Sequence, residues 1–308
     1  MNILFFCNAN KNVGIGHFRR CNVIGSHLIK ANKDINIKYA GDIDKNFIKN
    51  RGMFTERIED TPKFDTYDMV IFDSYNKEDY SKVNSLDTKK VSIDDKEIFD
   101  YKEWDLVVNF RLKNEYKKYE SKKSLYGVKY FPFETKYLSI RKIKTPRNKF
   151  KNLFFYFGET IDISINEKVK KLINANSKNY NFFIYSSNYQ DKEKAIGFYN
   201  YFEYFSDCDV IIHGGGLTKY EAAYAMKFNL SFSITDLQKE DTEYLSSLEL
   251  TKDLGYYTQF EDTIEKSLSI LEDIDTSEVE LFKKNSKKLF DDNSLNNICK
   301  EILAIIYK

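Results

Sequence analysis

Two glycine clusters hold the residue types that could do chemistry. The first reads Asn12-Val13-Gly14-Ile15-Gly16-His17-Phe18-Arg19-Arg20-Cys21. Gly14 and Gly16 let the backbone turn tightly and approach a ligand closely. Helical periodicity sets in at His17, which aims free N–H groups and the positive end of a helix dipole at the same place. An imidazole in the first turn of a helix is disfavoured as the cation, so His17 is placed to accept a proton near neutral pH. A capping or hydrogen-bonded structural histidine would occupy the same position. A dinucleotide fingerprint needs a third glycine three residues on; Arg19 stands there, and that reading fails. His27, further along the same helix, reads as structural.

The second cluster runs from Cys208 through His213-Gly214-Gly215-Gly216-Leu217-Thr218-Lys219-Tyr220-Glu221. Gly214, Gly215 and Gly216 at a helix N-terminus would form a nest of N–H groups that fits a diphosphate without a metal. Glu221, one turn into the helix, is placed to accept bonds from a ribose diol, and Thr218 to cap the helix or donate to a phosphate. The plainer alternative is a glycine-rich strand-to-helix turn in which Glu221 satisfies the first helical turn.

The elements that must position these loops alternate along the whole chain. Near-continuous apolar runs at residues 2–7, 36–40, 68–73, 90–93 and 105–109 read as strands of a parallel sheet covered on both faces. The pattern restarts with strands at 152–157, 180–185, 210–213 and 230–234. Helical stretches fall at 17–31, 164–175, 217–228 and 239–254, and two helices follow from Ser277, with Leu281, Leu289, Ile298 and Ile302 on their buried faces. This alternation specifies an α/β protein of two doubly wound Rossmann-like domains facing a cleft, where ligands of such sheets bind. The basic stretch 140–148, with Pro146, marks the boundary, giving an N-terminal domain of residues 1–145 and a C-terminal domain of 146–308.

Composition narrows the function classes. The 308 residues carry 48 Lys+Arg against 47 Asp+Glu, a net +1 that argues against nucleic-acid or anionic-membrane binding through bulk charge. No apolar run approaches the ~20 residues of a membrane span. The N-terminus has no basic region ahead of its apolar run and reads as a strand, not a signal peptide. Cys7, Cys21, Cys208 and Cys299 show no CxxC spacing, which suits a reducing compartment, so a cytoplasmic location is expected. Asp94-Asp95 could be metal ligands or an acid–base pair, but adjacent carboxylates after a strand point to different faces, and turn or cap duty fits better. The run 113–123, Lys with interleaved Tyr, reads as a solvated helix face.

Together, Gly14-x-Gly16-His17-x-x-Arg20-Cys21 and Gly214-Gly215 with Thr218 and Glu221 resemble nucleotide-sugar enzymes of the GT-B fold. The sequence is most similar in kind to the UDP-sugar hydrolase family of pseudaminic acid biosynthesis, with further likeness at Asp73-Ser74-Tyr75, Ser92-Ile93-Asp94-Asp95, Leu106–Asn109, Leu125–Tyr130, Gly158-Glu159-Thr160 and Gln238. The resemblance implies hydrolysis of a UDP-linked 2,4-diacetamido-2,4,6-trideoxyhexose to free sugar and UDP. His17 would activate the water, with Gly14, Gly16, Arg20 and Tyr75 on the substrate in the N-terminal domain. Gly158, Thr160, Gly214, Gly215, Gly216 and Thr218 would surround the diphosphate, Glu221 the ribose, and Gln238 the sugar or phosphates. No cofactor and no metal is implied, and nothing in the sequence points to a protein partner. Phe6, Asn8, Glu134 and Glu159 depart from the family pattern, two of them where it carries cationic residues. A glycosyltransferase on the same scaffold, with His17 deprotonating an acceptor hydroxyl, is the alternative; a degenerate nucleotide-sugar binding protein is a third, against which the complete Gly14-x-Gly16-His17 speaks.

Overall fold

A computed structural model describes residues 1–50, 52–53, 55–112, 115–143, 150–158, 163, 165–185 and 201–306. The chain divides into two compact units, one of Met1–Glu134 with Asp291–Lys308 and one of Thr135–Phe290.

The first unit is built on strands β1 (Asn2–Cys7), β2 (Asn36–Ala40), β3 (Met69–Asp73), β4 (Lys89–Ile93), β5 (Leu106–Asn109) and β6 (Ser124–Tyr126), with helices α1 (Gly16–Ala31), α2 (Lys45–Lys49) and α3 (Lys77–Asn84). All pairings are parallel and the order is β2-β1-β3-β4-β5-β6. Parallel strands buried on both faces must be apolar throughout, and β3, Met-Val-Ile-Phe-Asp, is buried at every residue. On one face Leu4, Phe6, Val70 and Phe72 pack with Phe99, Tyr101 and Trp104. The chain moves outward from β1 to β2, then returns to lay β3 on β1's other side. That reversal lies between β1 and β3, and in α/β sheets ligands bind at the C-terminal ends of the strands flanking such a reversal.

The second unit contains α4 (Thr135–Arg141), β7 (Asn152–Tyr156), α5 (Glu167–Asn176), β8 (Asn181–Tyr185), α6 (Tyr201–Asp207), β9 (Val210–Gly214), α7 (Thr218–Tyr224), β10 (Phe228–Ser233), α8 (Asp236–Ser247), β11 (Lys252–Tyr256), α9 (Phe260–Asp273) and α10 (Thr276–Leu289). Its sheet is also parallel, in the order β11-β10-β9-β7-β8, so its reversal lies between β7 and β9.

The last helix, α11 (Ser294–Ile306), belongs to the first unit. Leu295, Ile298, Cys299 and Ile302 form its buried face, and Asn297 Nδ2 donates to the Lys129 carbonyl at 3.0 Å. The division between units therefore falls at 134/135 and again at 290/291, not once at 145/146; residues 144–149 lie outside the described part. Of the C-terminal helix faces, Ile298 and Ile302 are buried as expected, whereas Leu281 is 42% exposed and α10 turns Phe282 and Ser286 inward instead. All four cysteines are buried free thiols. Among the described residues, no helix is long and apolar enough to cross a membrane.

Candidate functional site

In the first unit, the loops after β1, β3 and β4 converge on His17. Gly14, with φ +76°, makes the turn that returns the chain from β1 into α1, a backbone conformation L side chains rarely adopt. Asn8 locks the loop's start: its Oδ1 accepts the Asp42 N–H and its Nδ2 donates to Ser74 and Asp79, each at 2.9 Å. Phe6 is a core residue. His17 is the second residue of α1 and is 6% exposed.

His17 Nδ1 lies 2.6 Å from Asp73 Oδ1, at the C-terminal end of β3. The same Nδ1 lies 3.1 Å from Arg20 Nη2, which can only donate, whereas the carboxylate can only accept, so the two neighbours ask for opposite tautomers. The much shorter Asp73 contact favours the proton on Nδ1, which leaves the lone pair on Nε2, the arrangement of a general base. Asp73 is fully buried and is held a second time by Arg20, whose Nε donates to Oδ2 at 2.5 Å and whose Nη2 donates to Oδ1. Arg20 Nη1 reaches Asp95 Oδ2 at 3.1 Å, and Asp95 Oδ1 accepts the Tyr75 hydroxyl at 2.6 Å. The Tyr75 ring then stands edge-on to His17, centroids 4.4 Å apart. Burial pushes the Asp73 carboxyl upward, but the charge of Arg20, with the hydrogen bonds from Arg20 and His17 added, outweighs it and holds the carboxyl below its usual range. Asp95 is likewise held low: burial opposes ionisation, and Arg20, then the Tyr75 hydrogen bond, overcome it. The Tyr75 phenol is pushed up by burial and by Asp95, so it remains a donor.

Two sequence expectations change here. Arg20, expected on the substrate, is 5% exposed with its guanidinium committed to two carboxylates. The Asp94-Asp95 pair divides its duties: Asp94 Oδ1 caps a turn, accepting the N–H groups of Lys96 and Glu97, while Asp95 belongs to the His17 network. Glu134 pairs with Arg19 at 2.7 Å.

In the second unit, the loops after β7, β9 and β10 form a second group at that sheet's reversal. Gly158, with φ +75°, follows β7, and Gly214 closes β9 with Gly215 and Gly216 directly after it. Thr160 and Glu159 lie outside the described residues. A Cβ on Gly215 would sit 2.9 Å from the Phe232 carbonyl oxygen and 3.1 Å from Gln238 Cβ, so only glycine lets this loop run against β10. A Cβ on Gly216 would meet nothing within 4 Å, so that backbone faces open space. Thr218 is buried at the start of α7 but is not its cap; that position is Leu217, without a side-chain hydrogen bond. Glu221 stands one turn into α7, half-buried. Gln238 turns its amide oxygen to the Ile234 N–H at 3.0 Å, closing the N-terminus of α8 together with Thr235. His213 is buried and internally bonded, Nδ1 to the Gly214 carbonyl oxygen at 2.8 Å and Nε2 to Asn229 Oδ1 at 3.1 Å.

The loop also rests on a buried cation that sequence reasoning missed. Lys219 Nζ lies 2.8 Å from Asp241 Oδ2, donates to the Gly215 carbonyl at 2.8 Å and to Thr242 at 3.2 Å, and Asp241 takes the Tyr220 hydroxyl at 2.7 Å. This pair staples the glycine turn to α8. The sequence reading gives Asp73 no role of its own and Asp95 turn or cap duty, although a carboxylate closing an apolar strand, as in Val-Ile-Phe-Asp73, is a signal that could find the first. Among the described residues, no group of three or more His, Cys, Asp and Glu is placed to hold a metal ion.

The sequence matches no protein-family model and no curated protein. Solved structures match it along its length, and they define its class: the chain has the fold of the GT-B glycosyltransferases, two Rossmann-like domains. It is similar to MurG of Acinetobacter baumannii at 11% identity and a TM-score of 0.61, covering 98% of this chain and 99% of that one. It is similar to UGT89C1 of Arabidopsis thaliana, complexed with UDP-L-rhamnose, at 13% identity and 0.61, over 98% of both chains. The spinosyn forosaminyltransferase SpnP aligns over 99% of both at 13% identity and 0.58. Likeness at these identities establishes the fold.

Proposed function

We propose that the protein is a nucleotide-sugar-dependent glycosyltransferase in which His17 is the general base. The observation that carries this reading is the His17–Asp73 dyad at the sheet reversal of a GT-B fold. Asp73 holds the Nδ1 proton, so Nε2 takes the proton of an acceptor hydroxyl as its oxygen bonds to the anomeric carbon. The anomeric C–O bond breaks, and the nucleoside diphosphate leaves with the electron pair. Backbone N–H groups at Gly214–Thr218 would offset the charge gathering on the leaving group. The neighbours named as glycosyltransferases, and the one bound to UDP-L-rhamnose, support UDP as the first nucleotide to test.

A second reading replaces the acceptor by water. The run Gly14-x-Gly16-His17-x-x-Arg20-Cys21 favours it, through its likeness to the UDP-sugar hydrolases of pseudaminic acid biosynthesis, whose substrate is a UDP-linked 2,4-diacetamido-2,4,6-trideoxyhexose. The dyad serves either nucleophile, and its presence opposes a purely binding role. Phosphorus NMR of the protein with that UDP-sugar in oxygen-18 water, without acceptor, separates the readings. UDP release with the heavy oxygen on the sugar means hydrolysis. An unchanged donor that turns over only when hydroxyl acceptors are added means transfer. No UDP binding and no turnover under either condition would overturn both.

A further inference from the structure

We infer that Arg20 is a positioning residue: one buried guanidinium, bridging Asp73 and Asp95, sets both the tautomer and the rotation of the His17 ring. The proposal rests on His17 being the base, as argued above. On α1, His17 and Arg20 stand three residues apart, which puts them on one face. Arg20 grips Asp73 through two nitrogens, one on each carboxylate oxygen, and this fork fixes the carboxylate plane. Oδ1 is thereby aimed at His17 Nδ1, 2.6 Å away. The third nitrogen holds Asp95 at 3.1 Å, and the other oxygen of Asp95 holds the Tyr75 hydroxyl at 2.6 Å. Tyr75 in turn packs against the imidazole, the two rings nearly perpendicular with centroids 4.4 Å apart. Two contacts orient the ring, its in-plane hydrogen bond to Asp73 and its packing on Tyr75; both lead back to the same side chain, whose Nη2 also lies 3.1 Å from His17 Nδ1. The Phe110 ring, 5.2 Å from the guanidinium carbon, backs the group.

A lysine would keep the charge at this position and lose the fork. The test is therefore Arg20→Lys in the full chain with ¹⁵N-labelled histidine, a simple spectrum because the protein has three histidines. Two-bond proton–nitrogen correlations report the tautomer, and a nuclear Overhauser contact reports the His17–Tyr75 ring distance. The wild type should show His17 protonated on Nδ1 and in contact with Tyr75. In Arg20→Lys the Nε2–H tautomer should appear and the Tyr75 contact fade, with turnover down roughly 100-fold, the loss expected when a catalytic group is misplaced by about an ångström, and with UDP affinity retained. Should Arg20→Lys not fold, Asp95→Asn decides: Asp95 has no hydrogen bond to His17, so loss of the His17–Tyr75 contact in that variant would show the coupling. A wild-type ring protonated on Nε2, or a tautomer and ring contact unmoved in the variant measured, would overturn the proposal. Because the ring measurements need no substrate, a wild type that neither binds UDP nor turns over would refute the functional reading alone.

Discussion

Replacing Asp73 by asparagine tests the buried network where it is most loaded. The substitution keeps the side chain's size and removes one charge that faces both Arg20 and His17. Breaking a buried ion pair costs about 3–5 kcal/mol, because the surviving charge is left uncompensated. Arg20 retains Asp95 at 3.1 Å, so the cost should sit at the lower end, about 3 kcal/mol. The pH dependence has a definite sign. In the folded protein the Asp73 carboxyl lies below its ordinary value of about 3.9, so its stabilisation is complete above about pH 4 and is lost as pH falls through the folded value. The asparagine side chain does not titrate, so the gap between the two proteins is widest at pH 7 and narrows in acid. The assay is urea unfolding followed by Trp104, the single tryptophan, fully buried in the first unit and so a reporter of that unit. Turnover should fall by about 10²–10⁴, the worth of a general base, while UDP affinity holds. A cost below about 1 kcal/mol, or a gap that widens in acid, would refute the reasoning.

His17→Ala should abolish turnover while leaving UDP binding nearly unchanged, and Glu221→Ala should mainly weaken binding; calorimetry beside a rate assay separates them, and equal loss of affinity in both would contradict the division of labour. Gly215→Ala puts a Cβ 2.9 Å from the Phe232 carbonyl oxygen, so about 1–3 kcal/mol of stability should be lost, together with nucleotide affinity, by thermal melts with and without UDP. His213 is pushed down to about 4 by burial, against the opposing pull of the Gly214 carbonyl and Asn229. Its ring signals should hold the neutral position through pH 5 and move only near pH 4, and a midpoint above 6 would show the site to be solvated.

What the sequence revealed follows from which forces are local. The central strands were legible because a parallel strand covered on both faces must be apolar throughout, and β1 and β2 fall at the expected residues. The strands that escaped, β6 and β11, lie at sheet edges; one has three residues and the other, Lys-Asp-Leu-Gly-Tyr, lacks an apolar run. The helix expected over 217–228 stops at Tyr224, where Met226 takes a positive φ of 57° and the chain enters β10. The helix expected to reach residue 254 ends at Ser247 for the same reason, giving way to β11. His17 and both glycine clusters were legible because a loop between strand and helix is a local event. Their partners were not: Asp73 and Asp95 lie 53 and 75 residues from Arg20, and only the strand order brings them to one place. The return of α11 to the first unit was hidden similarly, since its apolar face says that it packs and not on what.

The proposed transfer requires that the second glycine turn hold a nucleoside diphosphate. Titrating UDP into the ¹⁵N-labelled protein and following backbone amides tests it most directly. Saturable shifts should centre on the amides of Gly214 to Thr218 and on Gly158, and weaken in Gly215→Ala. No binding of UDP or any other nucleoside diphosphate, or shifts confined to residues outside those loops, would contradict it.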